Sequence, residues 1–233
     1  MSRHPNPELY PGCSVMPNAP FDPAQTHSGS NHALAAPPAY QRYREMTIDE
    51  MLLENRVIFL VGDINNATAT GVIMRLLYLE NTKKNIDISL YINSAGGAVD
   101  DTLAIYDTME FISSDVQTTC VGKAMSGAAL VLAAGTKDKR FSLPHAKIMI
   151  HQPYGGVYGQ TTDVQIQAEE ILKTKQQLNE LFALHTGQTE EAIEADSDRD
   201  KFFSAQEAKD YGLVDGVIER NIAVESAKPV KST

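Results

Sequence analysis

Four short runs of apolar and β-branched residues alternate along this chain with longer stretches whose apolar residues recur every three or four positions. That alternation restricts the fold more than any other feature, because strand-period and helix-period segments in strict succession build α/β layers with a largely parallel sheet. The strand-like runs are residues 56–61 (RVIFLV), 86–92 (IDISLYI), 116–121 (VQTTCV) and 147–151 (KIMIH). A short helical stretch carrying Met46, Ile48, Met51 and Leu52 precedes the first run. Residues 67–80 (Val72, Leu76, Leu79) and 99–112 (Leu103, Tyr106, Met109) have helical spacing, and 128–134 reads as an all-apolar helix stopped by Gly135. The longest helix is expected over 163–184, with Thr162 and Gln165 as its capping box and Gly187 as its stop. Its apolar positions include Val164, Ala168, Ile171, Leu178 and Leu181. Ser204 with Glu207 opens a last helix that Gly212 closes.

Composition narrows the function. Twenty basic against thirty acidic residues leave a net charge of -10. A nucleic-acid partner or an anionic membrane surface would require clustered Lys and Arg instead. No run approaches the roughly 18 apolar residues of a membrane span, and the N-terminus lacks the apolar core of a signal peptide. Cys13 and Cys120 form no metal or disulfide pattern, and Cys120 reads as a small buried hydrophobe. A cytoplasmic location is expected. Eight of the eleven prolines precede residue 39, so residues 1–39 read as a disordered tail or propeptide, 40–222 as the folded domain and 223–233 as a flexible tail.

Four sequence elements carry chemistry. At Val121-Gly122-Lys123-Ala124-Met125-Ser126-Gly127 a strand gives way to the apolar helix at a serine flanked by small residues. A helix N-terminus favours the negative charge of an acyl-transfer oxyanion. From local sequence alone, a capping serine on a buried helix is the better reading. Asn93-Ser94-Ala95-Gly96-Gly97 places paired glycines in a tight strand-to-helix turn, where backbone N–H groups would be exposed. His151 ends the fourth strand, just before Gln152-Pro153, and a partly buried structural histidine is an equally good reading of it. His185 is expected to cap the long helix. Asp196-Ser197-Asp198-Arg199-Asp200 offers either a solvated turn or one carboxylate to orient a histidine; it lacks the glycine and distal glutamate of a calcium loop.

In this order the elements resemble the proteolytic subunit of the Clp protease family, ClpP, from about residue 40 to 219. The resemblance rests on Ile92-Asn93-Ser94-Ala95-Gly96-Gly97, Ala104-Ile105-Tyr106-Asp107-Thr108-Met109, Met149-Ile150-His151-Gln152-Pro153, Leu184-His185-Thr186-Gly187-Gln188, Asp198-Arg199-Asp200 and Tyr211-Gly212-Leu213-Val214-Asp215. It implies a crotonase-like fold of repeated αββ units with a long protruding helix. It implies a nucleophile at Ser126, a base at His151, an acid at Asp200, and oxyanion donors at the N–H groups of Gly97 and Gly127. It implies seven-subunit rings stacked in pairs through the long helix, with Asp198 and Arg199 at the ring contact. A separate AAA+ unfoldase would dock at Tyr91, Phe111, Phe141 and Leu143 and deliver polypeptide substrates. No metal or cofactor is implied.

The chain departs from the family's common Ala-Ser-Met-Gly at Met125 and Gly127, from the usual proline at Ala95 and from the usual tyrosine at Ser89. Two other functions compete. One is a weakly active or structural ring subunit working beside an active paralogue, with Gly127 as its best support. The other is an enzyme acting on a CoA thioester, which the Met149–Pro153 motif disfavours.

Overall fold

The structure, a computed structural model, describes residues 46–219, so the readings of 1–39 and 223–233 lie outside the described residues. The elements follow the expected alternation. They run α1 (Ile48–Glu54), β1 (Val57–Ile64), α2 (Asn66–Thr82), β2 (Ile88–Gly97), α3 (Val99–Phe111), β3 (Val116–Met125) and α4 (Gly127–Ala133). There follow β4 (Arg140–Ser142), β5 (Lys147–Ile150), α5 (Thr161–Thr186), α6 (Glu190–Ser197), β6 (Lys201–Ser204), α7 (Ala205–Tyr211) and β7 (Gly216–Val217). Capping boxes open three helices, at Thr47 with Glu50, Asn65 with Thr68, and Ser204 with Glu207. In β2 the alternation buries Ile88, Leu90 and Ile92. They share one core with Val72, Leu76 and Leu79 of α2 and with Ile105 and Met109 of α3. Ala128–Ala133 are buried on every side of α4, which is why that run contains no polar residue.

The sheet order is β1-β2-β3-β4-β7, all parallel, with β5 also on β3 and β6 antiparallel to β5. β2 and β3 run further than their apolar runs. Residues 93–97, expected as a turn, continue β2, and residues 122–125 continue β3. The registers shift between Val61 and Asp63 on β1 and between Ile92 and Ser94 on β2, and such bulges bend strands. Gly62, at φ 80°, supplies the backbone for the first shift. β3 divides its edge: Thr118–Cys120 pair with β4, whereas Lys123–Met125 pair with β5. Thus β4 and β5 together line β3 as one long strand does in each earlier unit, and among the described elements only α4-β4-β5 has the αββ order.

Two local expectations fail. α5 starts at Thr161, two residues early, after Gln160, which makes no side-chain cap bond. Gln165 reaches forward to Glu169 Oε1 at 3.2 Å instead of back to the cap. His185 caps no carbonyl through its side chain: its half-buried ring lies against Tyr106, with Nε2 3.0 Å from the phenol oxygen. Arg140 takes that end of the helix, donating to His185 O at 2.7 Å while forming a buried pair with Asp215. Burial, then the Arg140 charge, holds His185 below the usual imidazole pKa range. The long helix itself emerges from the body, since residues 161–173 are exposed throughout.

One polar junction makes stability depend on pH. The Glu80 carboxylate, near the end of α2, accepts from the Ser113 hydroxyl, from Ser114 N–H at 3.1 Å and from the Ser114 hydroxyl at 2.7 Å. These bonds lower its pKa from 4.5 to about 2. A depressed carboxylate stabilises the fold above its unfolded pKa and loses that contribution as the pH falls toward the folded value. Glu80→Gln should therefore melt below the parent at neutral pH, and the gap should close as the pH falls from 4.5 toward about 2. Thermal melts across this range test it; a gap independent of pH would show that the junction does not act through the carboxylate's charge.

Candidate active site

Ser126 occupies the elbow between β3 and α4 at φ 55° and ψ -126°, a strained conformation for a residue with a Cβ. Its side chain makes no cap bond. The hydroxyl instead lies 2.8 Å from His151 Nε2, and His151 Nδ1 lies 3.0 Å from Asp200 Oδ1. The three residues read as a possible triad are thus joined in one hydrogen-bonded line, and the capping-serine alternative is excluded by where the hydroxyl points. The His151 side chain is 14% exposed and that of Asp200 is 58% exposed. The backbone sets the order of the three. Ser126 N–H donates to Met149 O at 2.8 Å, tying the elbow to the strand that leads into His151. On its other side that strand pairs with β6, and Ile150 opposite Lys201 brings Asp200 up to His151.

The glycines expected as oxyanion donors lie beside the elbow. Gly97, Ser126, Gly127 and His151 line one cavity of ≈ 30 Å³ together with Val99, Thr102, Leu130, Pro153, Leu178 and Phe182. Gly127 is the first residue of α4, so its N–H has no partner one turn earlier in the helix. A Cβ on Gly97 would come within 2.0 Å of Ile64 O, and one on Gly96 within 2.6 Å of Met125 O and 2.8 Å of Ser126 Cβ. The two positions therefore admit only glycine if β2 is to pass this close to the elbow.

Gly127 differs from the methionine common in the resembling family, and the structure supplies a reason. A Cβ there would lie 2.3 Å from Thr102 Oγ1, which is buried in α3 and donates to Ala98 O at 2.9 Å. Thr102 fills the space that a larger residue at 127 would need. Neither Thr102, Leu178 nor Phe182 carries a local sequence signal beyond helical spacing. Gln152 was also missed: its N–H donates to Ser197 O at 2.6 Å and its amide to Asp198 O at 2.8 Å, holding the turn before Asp200. Tyr154 stands edge-on to the His151 ring, 5.5 Å between centroids.

The other candidate residues lie elsewhere. Arg199 is 90% exposed and only 3.8 Å from Asp198 Oδ2, so the two form a loose surface pair within the chain. Tyr91 and Phe141 fall in one row across the sheet, through the register Phe59–Tyr91–Thr119–Phe141. Phe59 stacks on Tyr91 at 5.4 Å and was not foreseen, since the row depends on register. Leu143 follows β4 and is 36% exposed; Phe111 ends α3, outside the row, and is 82% exposed. Among the described residues no cluster of three or more His, Cys, Asp or Glu is placed to hold a metal ion.

The family model described as Clp protease matches residues 40–221. The ATP-dependent Clp protease proteolytic subunit 1 of Rhodopirellula baltica is 50% identical over 198 residues, covering 84% of this chain and 87% of its own length.

The Thr102–Gly127 contact has a measurable consequence. Gly127→Ala should lose about 1–3 kcal/mol of stability through overpacking, and adding Thr102→Ala should recover most of the lost melting temperature. If Gly127→Ala melts like the parent, the close approach does not dictate glycine at this position.

Proposed function

The chain belongs to the Clp protease family and is a serine peptidase subunit, and from that premise we propose that Ser126, His151 and Asp200 are its catalytic triad. The continuous hydrogen-bonded line from Ser126 Oγ through His151 to Asp200 carries this reading. His151 Nε2 takes the hydroxyl proton as Ser126 Oγ attacks the scissile carbonyl. Asp200 accepts from Nδ1–H, which holds the imidazole in the tautomer that leaves Nε2 free to accept. The N–H groups of Gly97 and Gly127 receive the oxyanion. His151 then gives its proton to the leaving amine, and a water that it deprotonates hydrolyses the acyl-enzyme. The substrate proposed is unfolded polypeptide, cut to short peptides, and the site proposed for this work is the cytoplasm. The joined triad favours this over a weakly active or structural ring subunit.

Membership of the family carries ring assembly and an unfoldase partner in general. The specific assembly proposed is a pair of seven-subunit rings, with α5 and the Asp198–Arg199 pair at the contact between rings. An exposed arginine whose nearest carboxylate is 3.8 Å away suits bidentate pairing with a second copy. The unfoldase is proposed to dock on Tyr91, Phe141 and Leu143 with Phe111, where large apolar side chains remain partly or largely exposed.

Incubation with a fluorophosphonate followed by peptide mapping should place the adduct on Ser126. Ser126→Ala or His151→Ala should lower peptide cleavage by about 10⁴–10⁶-fold. An adduct on another serine would overturn the assignment. The assembly reading has its own test. Arg199→Ala should sediment as single rings with reduced peptide cleavage, whereas Phe111→Ala should spare peptide cleavage and weaken ATP-dependent degradation of proteins. Fully stacked, fully active Arg199→Ala, or equal loss of both activities in Phe111→Ala, would refute the corresponding half.

A further inference from the structure

Asp200 is more exposed than an orienting carboxylate usually is, and among the described residues its side chain has one hydrogen bond, the one to His151. Apart from that bond, no hydrogen bond or ion pair of the side chain fixes its position among the described residues. Its orientation must come from the backbone turn that carries it, between the end of α6 and the start of β6. The two ends of that turn are tied together. Lys201 Nζ lies 2.6 Å from Asp196 Oδ1, and Tyr211 on α7 donates its hydroxyl to Asp196 Oδ2 at 2.8 Å. Both oxygens of Asp196 are thereby engaged. The Lys201 ammonium also sits 5.4 Å and 5.2 Å from the ring centroids of Phe203 and Tyr211, which pack on each other at 4.8 Å. Tyr211 is held in turn by Gln188, whose amide donates to its carbonyl at 3.0 Å.

Lys201 is placed to act on both partners of the Asp200–His151 bond. It follows Asp200 directly in the chain, and across the β5–β6 ladder it is opposite Ile150, the residue before His151. A change in where Lys201 sits therefore moves the carboxylate relative to the imidazole. Around this clamp the Asp196 carboxyl is held below its ordinary range, by the Lys201 bond first, against partial burial, with the Tyr211 bond adding to it.

We propose that Asp196, Lys201 and Tyr211 form a clamp of positioning residues that sets the distance and angle between Asp200 and His151. This rests on the reading of Asp200 as the orienting carboxylate. None of the three lines the cavity at Ser126. Removing the clamp should slow the chemical steps without changing how peptide is bound, because a displacement of about 1 Å in a catalytic group costs up to about 10²-fold.

The test is steady-state peptide cleavage by the full chain, with sedimentation run on every variant. Lys201→Met should lower kcat by about 10–100-fold with KM unchanged within about twofold. Lys201→Arg, which can keep both the ion pair and the ring contacts, should restore most of kcat. Tyr211→Phe keeps the ring packing and removes one bond to Asp196, so it should fold and lose about threefold to tenfold in kcat. Asp200→Asn is measured alongside. A large loss in Asp200→Asn with parental kcat in both Lys201→Met and Tyr211→Phe would refute the clamp and leave the triad standing. Parental kcat in Asp200→Asn would remove the triad reading and the clamp with it. A Lys201→Met loss that Arg fails to restore, or that tracks disassembly alone, would also refute the proposal.

Discussion

One backbone hydrogen bond, from Ser126 N–H to the Met149 carbonyl at 2.8 Å, fixes where the rest of the site can be. It extends the parallel pairing of Met125 with Met149, so the elbow of β3 is set against β5 by the sheet itself. Two residues further along, at about 3.3 Å each, the chain reaches His151. The antiparallel step from β5 to β6 then puts Lys201 opposite Ile150, which leaves Asp200 facing His151. Three groups from distant parts of the sequence are positioned by one sheet edge. Sites held by ladders are more precise than sites held by loops, and the 2.8 Å and 3.0 Å bonds follow from two registers.

The same edge explains what could and could not be read in advance. The first halves of β1 and β2 are legible because Ile58, Leu60, Ile88, Leu90 and Ile92 alternate into the core. The second halves of β2 and β3 are not. Asn93–Gly97 and Gly122–Met125 have the composition of turns, and they become strands only because each lies beside a neighbour that continues too. The α5 cap failed for a related reason: a Thr-x-x-Gln pattern is a weak signal at the start of a helix that is exposed for its first 13 residues, 161–173. At the site, motif resemblance pointed to Ser126, His151 and Asp200, while local pattern favoured a cap for Ser126. The left-handed φ of 55° and the direction of the hydroxyl separate the two. The Thr102–Gly127 and Gln152–Asp198 contacts had no local signal, because they depend on packing between segments far apart in the chain.

Asp200 illustrates how little a surface charge does unaided. In water an exposed ion pair contributes at most about 1 kcal/mol, and a carboxylate that is 58% exposed cannot hold an imidazole by attraction alone. What holds it is backbone: Gln152 binds the carbonyls of Ser197 and Asp198 from the histidine side, and Lys201 binds Asp196 from the other. Arg199 lies between these restraints and makes none of its own, being 90% exposed with its Nε 3.8 Å from Asp198. On the proposed stacking this arginine takes its partner from another copy. The turn would then be restrained on a third side only when assembled.

α5 carries that logic into the core. One stripe runs along it through Val164, Ala168, Ile171, Leu178 and Phe182, at steps of three, four or seven residues that keep them on one face. The two ends of the stripe meet different environments. Leu178 and Phe182 line the cavity beside Ser126, and Phe182 is buried. Val164 and Ile171 remain 37% and 36% exposed, with Leu172 at 65% beside them. Half of a helix stabilised only by its own propensity is marginal in water, since most helical stability comes from packing an apolar face. The last turns of α5 are anchored to the site while its first turns lack a packing partner within the described chain. A second copy covering Val164 and Ile171 would order the same helix that closes the cavity with Leu178 and Phe182. Assembly and the shape of the substrate cavity would therefore be coupled through one rigid element, without any change at Ser126.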